Sequence, residues 1–248
     1  MIDRKSSSPL VSVITVTLNS VKTLEKTIQS VLAQTYPCIE YIIVDGGSLD
    51  GTLEIIKKYE SKITYWISEK DSGIYQAMNK GIKQAKGEWI HILNSDDYYT
   101  TPNALSDFIQ RVKSDQNKFY YGTMYLENEN GKRTVQKYPF NWLNYWKLYY
   151  SAYIAHPTLL VNQEQYQQIG LYDESFKIAA DHDLILRLCK KYRAQFLDVP
   201  LTVMSLGGAS AKDNRKTFNE FKRVTIKNGL PIWLAEIIFR FKVWKLYV

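Results

Sequence analysis

An α/β fold on a mostly parallel central sheet is what this chain predicts, and two observations predict it. Short apolar, β-branched runs alternate with stretches whose apolar residues recur every three to four positions, the strand–helix alternation of a sheet with helices packed on its faces. Three of those runs also stop abruptly on polar residues, which a parallel sheet would gather at one edge. The first run, residues 11–18, ends at Asn19. Leu24, Ile28, Val31 and Leu32 follow at helical spacing, with Ser20 placed to cap that helix. The second run, residues 41–44, ends at Asp45 and then Gly46-Gly47-Ser48. A shorter helix is expected around residues 53–59, after the Asp50-Gly51-Thr52 turn. Ile74, Ala77, Met78, Gly81, Ile82 and Ala85 mark a further amphipathic helix with Gly87 at its end. The third run, residues 89–93, leads into Asp96 and Asp97, which are expected in an exposed loop.

With 248 residues, 45% of them apolar, the chain can bury one substantial core, and it shows no repeat or long linker. Residues 1–8 are polar and expected to be flexible; they contain no apolar leader, so secretion is not expected. Cys38 and Cys189 follow no pairing rule and read as buried small residues of a reduced compartment. The chain carries a net charge of +7, and residues 212–248 hold nine Lys/Arg against three Asp/Glu, which accounts for six of those charges.

The chemistry concentrates at Asp96-Asp97. Adjacent carboxylates repel, and a hard divalent cation with oxygen ligands relieves that repulsion; Mg²⁺ favours one or two carboxylates plus substrate phosphates. The same pair also suits a solvated turn before the segment opening at Pro102. Other phosphate chemistries fit less well. The first strand is followed by Asn19-Ser20-Val21 rather than a Gly-x-Gly-x-x-Gly fingerprint, and no Gly-Lys-Ser/Thr loop is present. A dehalogenase-type phosphatase needs an aspartate two residues before the Asp50-Gly51-Thr52 triplet, where Ser48 stands.

Taken in order, the motifs resemble those of bacterial family-2 glycosyltransferases with the GT-A fold. The matching pieces are Val11-Ser-Val-Ile-Thr-Val-Thr-Leu-Asn19, Ser30-Val-Leu-Ala-Gln-Thr-Tyr-Pro37, Val44-Asp-Gly-Gly-Ser-Leu-Asp-Gly-Thr52 and Asp71-Ser-Gly-Ile-Tyr-Gln-Ala-Met-Asn-Lys-Gly81. Gly87-Glu-Trp-Ile-His-Ile-Leu-Asn-Ser-Asp-Asp97 and Ala179-Ala-Asp-His-Asp-Leu-Ile-Leu-Arg-Leu188 complete the set. The paired acids read Ser-Asp-Asp rather than a strict Asp-x-Asp. The resemblance implies a Rossmann-like GT-A domain over residues 9–210 and a helical extension over 211–248. It implies a nucleotide-sugar donor held by Thr17, Asn19, Asp45, Asp71, Gly73 and Asp96, with Asp45 accepting from a uracil N–H. Asp97 would ligate Mg²⁺ or Mn²⁺. Lys80 is either a phosphate neutraliser or a solvent-facing lysine.

Inverting transfer needs a base on the acceptor side, and Asp181 and Asp183 both qualify by position, although first-turn acids also favour a helix start. The resemblance selects Asp181 as the catalytic acid and leaves Asp183 to orient or cap. His156 fits either the acceptor side or a structural hydrogen bond. The acceptor implied is a sugar on polyprenyl diphosphate, in O-antigen or capsule synthesis.

The basic tail, residues 230–248, mixes aromatics with cations; its charges disfavour insertion across a bilayer. It reads as lying on an anionic membrane surface, which places the protein on the inner, cytoplasmic face of the membrane; packing on the domain or on a second subunit is the alternative. The aromatic stretch at residues 140–150 suits an acceptor wall, a membrane face or a core helix. Nucleic acid is not expected, since no broad Lys/Arg stripe or reading motif is present. Two other classes fit less well. A nucleotidyltransferase needs a Gly-rich, Arg-containing loop that residues 17–23 lack, and a catalytically silent scaffold would have lost Asp45, Asp97 or Asp181.

Overall fold

The computed structural model describes residues 8–113, 118–139, 142–151, 153–206 and 214–247. The flexible start expected for residues 1–8 therefore lies, save for Ser8, outside the described residues. So do Phe140, residue 141, and the junction at residues 207–213 between the expected domain and its extension.

The alternating runs become the parallel half of the sheet. β1 (Val11–Thr17) is buried along its whole length, because helices cover both of its faces. It pairs in parallel with β2 (Ile39–Asp45) on one side, and β2 pairs in parallel with β3 (Tyr65–Ser68). On its other side β1 pairs in parallel with β4 (Trp89–Ile92). Alternate side chains serve opposite layers. Val11, Val13, Tyr41 and Ile43 meet α1 (Leu24–Leu32) and α2 (Thr52–Lys58) in one core. Ile14, Val16, Ile42 and Val44 meet α3 (Ile74–Gln84) in the other. Fully burying one such aliphatic side chain contributes about 1.5–3 kcal/mol, so the two layers fix the register firmly. That register sets Thr17, Asp45 and Ser68 side by side at the carboxyl edge.

Two expected helix signals act differently. Thr23, without a side-chain cap bond, holds the N-cap position of α1, while the Ser20 hydroxyl meets the Ser95 hydroxyl at 2.9 Å. α3 ends at Gln84 with Ala85 extended. Gly87 is no cap: a Cβ there would lie 2.6 Å from the Ser12 backbone nitrogen, so glycine is needed for close strand approach.

Beyond β4 the sheet is mixed. β5 (Tyr98–Tyr99), α4 (Ala104–Ile109), β6 (Lys118–Glu127) and β7 (Arg133–Gln136) precede a 3-10 helix at Trp142–Tyr149. β8 (Leu160–Asn162), α5 (Gln163–Ile169), α6 (Ala180–Lys191) and β9 (Arg193–Ser205) follow. The strand order is β3-β2-β1-β4-β8-β6-β9-β5, with β7 on β6. β8 runs antiparallel to both β4 and β6, whereas β6 and β9 are parallel. The aromatic 3-10 helix is divided between two environments: Leu148 is buried and Trp146 exposed. Cys38 and Cys189 are both free and only partly buried.

α7 (Asn214–Lys227) and α8 (Ile232–Tyr247) close the chain. α7 packs on α6, and the Lys222 ammonium donates to Glu236 of α8 at 2.9 Å. Among the described residues no helix is long and apolar enough to cross a membrane.

Candidate active site

The carboxyl ends of β1 to β4 build the floor of a cleft. At the end of β2 the Asp45 carboxylate folds back into its own turn. Its Oδ2 accepts from the backbone N–H of Gly47 (3.0 Å) and Ser48 (2.9 Å) and from the Ser68 hydroxyl (2.6 Å), and its Oδ1 accepts from the Ser48 hydroxyl. Asp45 has no solvent exposure. These bonds shape the turn after β2. Asn19 acts similarly. It sits at φ +50°, its N–H donates to the Ser48 hydroxyl at 2.7 Å, and its side-chain carbonyl accepts from Leu49 at 3.0 Å. These bonds tie the β1 and β2 loops together. Thr17, beside Asp45 in the register, keeps a buried hydroxyl with no hydrogen-bond partner.

The loop after β3 forms one wall. Asp71 accepts from the Gly73 N–H at 3.0 Å and presses against Gly46, where a Cβ would lie 2.7 Å from Asp71 Oδ2. Gly73 starts α3 at φ +144°, a backbone state that other residues rarely adopt. The Lys80 ammonium pairs with Glu69 at 2.8 Å.

Asp96 and Asp97 follow β4, and here the structure overturns the exposed-loop expectation. Asp97 is 1% exposed. Its carbonyl accepts from the Thr27 hydroxyl at 2.7 Å, and the Asp96 carbonyl accepts from the Ser205 hydroxyl at 2.8 Å, so the pair is pinned from α1 and β9. The side-chain Oδ1 of Asp97 has no hydrogen-bond partner. Burial first, and the neighbouring Asp96 charge second, push the Asp97 carboxyl well above the usual carboxylate range; burial raises Asp96 as well. A buried, orphaned oxygen beside a second carboxylate is a donor set that fits a hard cation. No cluster of three acidic, histidine or cysteine ligands gathers among the described residues, so further ligands would have to come from a substrate diphosphate or water.

The opposite wall is the start of α6. Asp181 is partly exposed; its Oδ1 accepts from the His182 N–H at 2.8 Å and the Tyr75 hydroxyl at 3.3 Å. Tyr75 also donates to the Ile178 carbonyl at 2.6 Å and stacks on Tyr172 with ring centroids 5.6 Å apart. His156 lies behind this pair. Its Nε2 meets the Tyr172 hydroxyl at 2.7 Å, and burial lowers its pKa against the pull of Asp181. His156 is thus a neutral hydrogen-bonder that supports the aromatic wall.

Asp183, beside Asp181 in the same turn, is fully buried. It accepts from Arg187 Nε (2.8 Å) and Asn228 Nδ2 (2.8 Å) and pairs with Lys227 (3.1 Å). Arg187 in turn donates to the carbonyls of Ile169, Gly170 and Leu171. Sequence reasoning missed a further contributor. The Glu220 carboxylate of α7 accepts the backbone N–H groups of Lys177 (2.9 Å), Ile178 (2.7 Å) and Ala179 (3.1 Å), which fixes the approach to Asp181. No local pattern marks Glu220. Ser48 and Tyr75, by contrast, lie inside the matched motifs.

A half-parallel, half-mixed sheet with polar groups gathered at the carboxyl ends of β1 to β4 is the architecture of a GT-A glycosyltransferase. Two solved structures share it. Residues 1–349 of S. aureus TarS in complex with UDP-GlcNAc superpose over 93% of this chain and 70% of that one, with a TM-score of 0.69 at 22% identity. The mannosyltransferase PcManGT from Pyrobaculum calidifontis, in complex with GDP-Man and Mn²⁺, gives 0.69 over 94% and 70% at 19% identity. In sequence, an uncharacterised glycosyltransferase of Mycobacterium tuberculosis is 33% identical over 184 residues, covering 73% of this chain and 70% of the relative. The description of glycosyl transferase family 2 matches residues 12–175. The chain belongs to that family.

Proposed function

We propose that the protein is an inverting, divalent-metal-dependent glycosyltransferase. It moves a hexose or N-acetylhexosamine from a nucleotide sugar to a sugar on polyprenyl diphosphate, at the inner face of the cell membrane, during O-antigen or capsule synthesis. The observation that carries this reading is Asp97: a buried carboxylate with an unpartnered oxygen, next to Asp96, at the sheet edge that also holds Thr17. Mg²⁺ or Mn²⁺ bound there would supply charge stabilisation for a leaving diphosphate. The Mn²⁺ and GDP-Man of PcManGT support this assignment. With Asp45 occupied in its own turn, the lean to a uridine donor rests on the likeness to TarS and its UDP-GlcNAc.

The chain's own residues divide the work. Thr17, Asp71 and the Gly73 backbone border the donor. Asp181, oriented by Tyr75 and the His182 N–H, takes the proton of the acceptor hydroxyl as its oxygen bonds to the anomeric carbon. The bond from that carbon to the diphosphate oxygen breaks, and the nucleoside diphosphate leaves with the electron pair. The test is a panel of nucleotide sugars assayed for nucleoside diphosphate release with Mn²⁺, Mg²⁺ or chelator, with and without a lipid-linked acceptor. Metal-dependent release from one donor, increased by acceptor, is expected; no release from any nucleotide sugar refutes the reading.

A further inference from the structure

The segment between α5 and α6 forms no strand or helix of its own, and Ala179, the N-cap of α6, makes no side-chain capping bond. Its backbone N–H groups need partners from elsewhere in the fold. α7 supplies them. The Glu220 carboxylate accepts from Lys177, Ile178 and Ala179, and bonds to a charged acceptor are stronger than bonds to a neutral one. The same helix grips the segment on both sides of those residues. Lys227 pairs with Asp173 at 2.7 Å, Arg223 and Lys227 lie over the Phe176 ring at 5.1 and 5.4 Å, and Asn228, just past the helix, donates to Asp183 at 2.8 Å.

The grip reaches Asp181 through one residue. Ile178 donates its N–H to Glu220 at 2.7 Å and accepts the Tyr75 hydroxyl on its carbonyl at 2.6 Å; that hydroxyl lies 3.3 Å from Asp181 Oδ1. A shift of Ile178 therefore moves both the hydroxyl beside Asp181 and the backbone that leads into it. On the donor side the Lys177 ammonium donates to the Ser72 carbonyl at 2.9 Å, and a Cβ on Gly73 would lie 3.8 Å from it. Residues 177–179 thus bridge α7 and the donor wall, with Asp181 next along the chain.

We infer that Glu220 is a positioning residue for transfer: it holds residues 177–179, which Lys177 ties to the donor wall, so that Asp181 meets the acceptor hydroxyl. The inference rests on Asp181 being the base. Misplacing a reacting group by about 1 Å costs on the order of 10²-fold in rate. Glu220→Gln keeps the side-chain size, removes the charge and leaves one acceptor oxygen, so kcat should fall roughly tenfold while donor affinity stays within about twofold of wild type. The test is steady-state kinetics on Glu220→Gln, Asp181→Asn and the double variant, using the nucleotide sugar that turns over in the donor panel, with donor binding measured by calorimetry. Residues that act as a unit give non-additive losses, so in the Asp181→Asn background Glu220→Gln should lower kcat by less than about twofold further. Lys177→Met, at an exposed position, should lower kcat several-fold with the same non-additivity, and decides the matter by the same outcomes if Glu220→Gln fails to fold. Glu220→Gln with wild-type kcat, or a double variant whose losses multiply, overturns the inference and leaves the base assignment standing. So does a loss that falls on donor affinity with kcat unchanged. Asp181→Asn with wild-type kcat overturns the base assignment and this inference with it.

Discussion

Replacing Asp97 with asparagine should move stability and activity in opposite directions. Without metal, the wild-type carboxylate is 1% exposed, has an unpartnered oxygen and abuts a second acid. An unsatisfied buried polar group costs about 1–3 kcal/mol. The amide removes the charge, and its N–H₂ can turn to the Asn94 side-chain carbonyl, which is also buried and unpartnered. A gain of about 1–2 kcal/mol follows, or roughly 2–8 °C in Tm for a domain of this size. The sign with pH is fixed by the raised Asp97 pKa. A carboxyl harder to ionise in the folded state destabilises the fold once pH exceeds its unfolded pKa, so the gain should grow as pH rises above the ordinary carboxylate range and fade as pH falls through it. Turnover should fall by about 10²-fold or more. Calorimetry in chelator at neutral and acid pH, repeated with Mn²⁺, separates the effects: Mn²⁺ should stabilise wild type by mass action and leave the variant unmoved. A variant that melts below wild type in chelator, or that Mn²⁺ stabilises equally, refutes the reasoning.

Asp181→Asn should lower kcat by roughly 10²-fold with donor affinity little changed, in steady-state kinetics paired with donor binding. Asp183→Asn should instead reduce stability by about 3–5 kcal/mol, because it strips a buried partner from Arg187, and chemical denaturation will read this directly. Tyr75→Phe should cost kcat about tenfold with donor affinity little changed, since Asp181 loses the hydroxyl that orients it; an unchanged kcat assigns Tyr75 to packing alone. Glu127 is held down to about 2 by the Tyr98 hydroxyl, then Arg133 and Lys26. Its contribution to stability should therefore be present above its unfolded pKa and lost as pH falls toward about 2, and Glu127→Gln should flatten that part of the acid unfolding curve.

Local periodicity made the parallel half legible: residues 11–18, 41–44 and 89–93 are strands because their side chains are buried on both faces, and the helices between them carry their own apolar stripes. The mixed half was not legible, since β8 and β9 owe their positions to partners far away in sequence. The same limit governs the site. Asp97 reads as a solvated loop acid until Thr27 of α1 grips its carbonyl and Ser205 of β9 that of Asp96. The partners of Asp183, Lys227 at the end of α7 and Asn228 just after it, lie more than forty positions away. Asp45 reads correctly as a strand-end acid, while its bonds to Ser48 and Ser68 appear only once the turn and β3 are placed.

The carboxylate of Glu220 gathers three N–H groups from a loop some forty positions earlier in the chain. Vectorial synthesis therefore supplies two anchors late, Ser205 for the Asp96 carbonyl and Glu220 for the loop leading to Asp181. While the ribosome still holds residue 220, the loop leading to Asp181 lacks the carboxylate that gathers its three N–H groups. Competence for transfer arrives in the last stretch of translation, together with the helix pair that carries the positive charge.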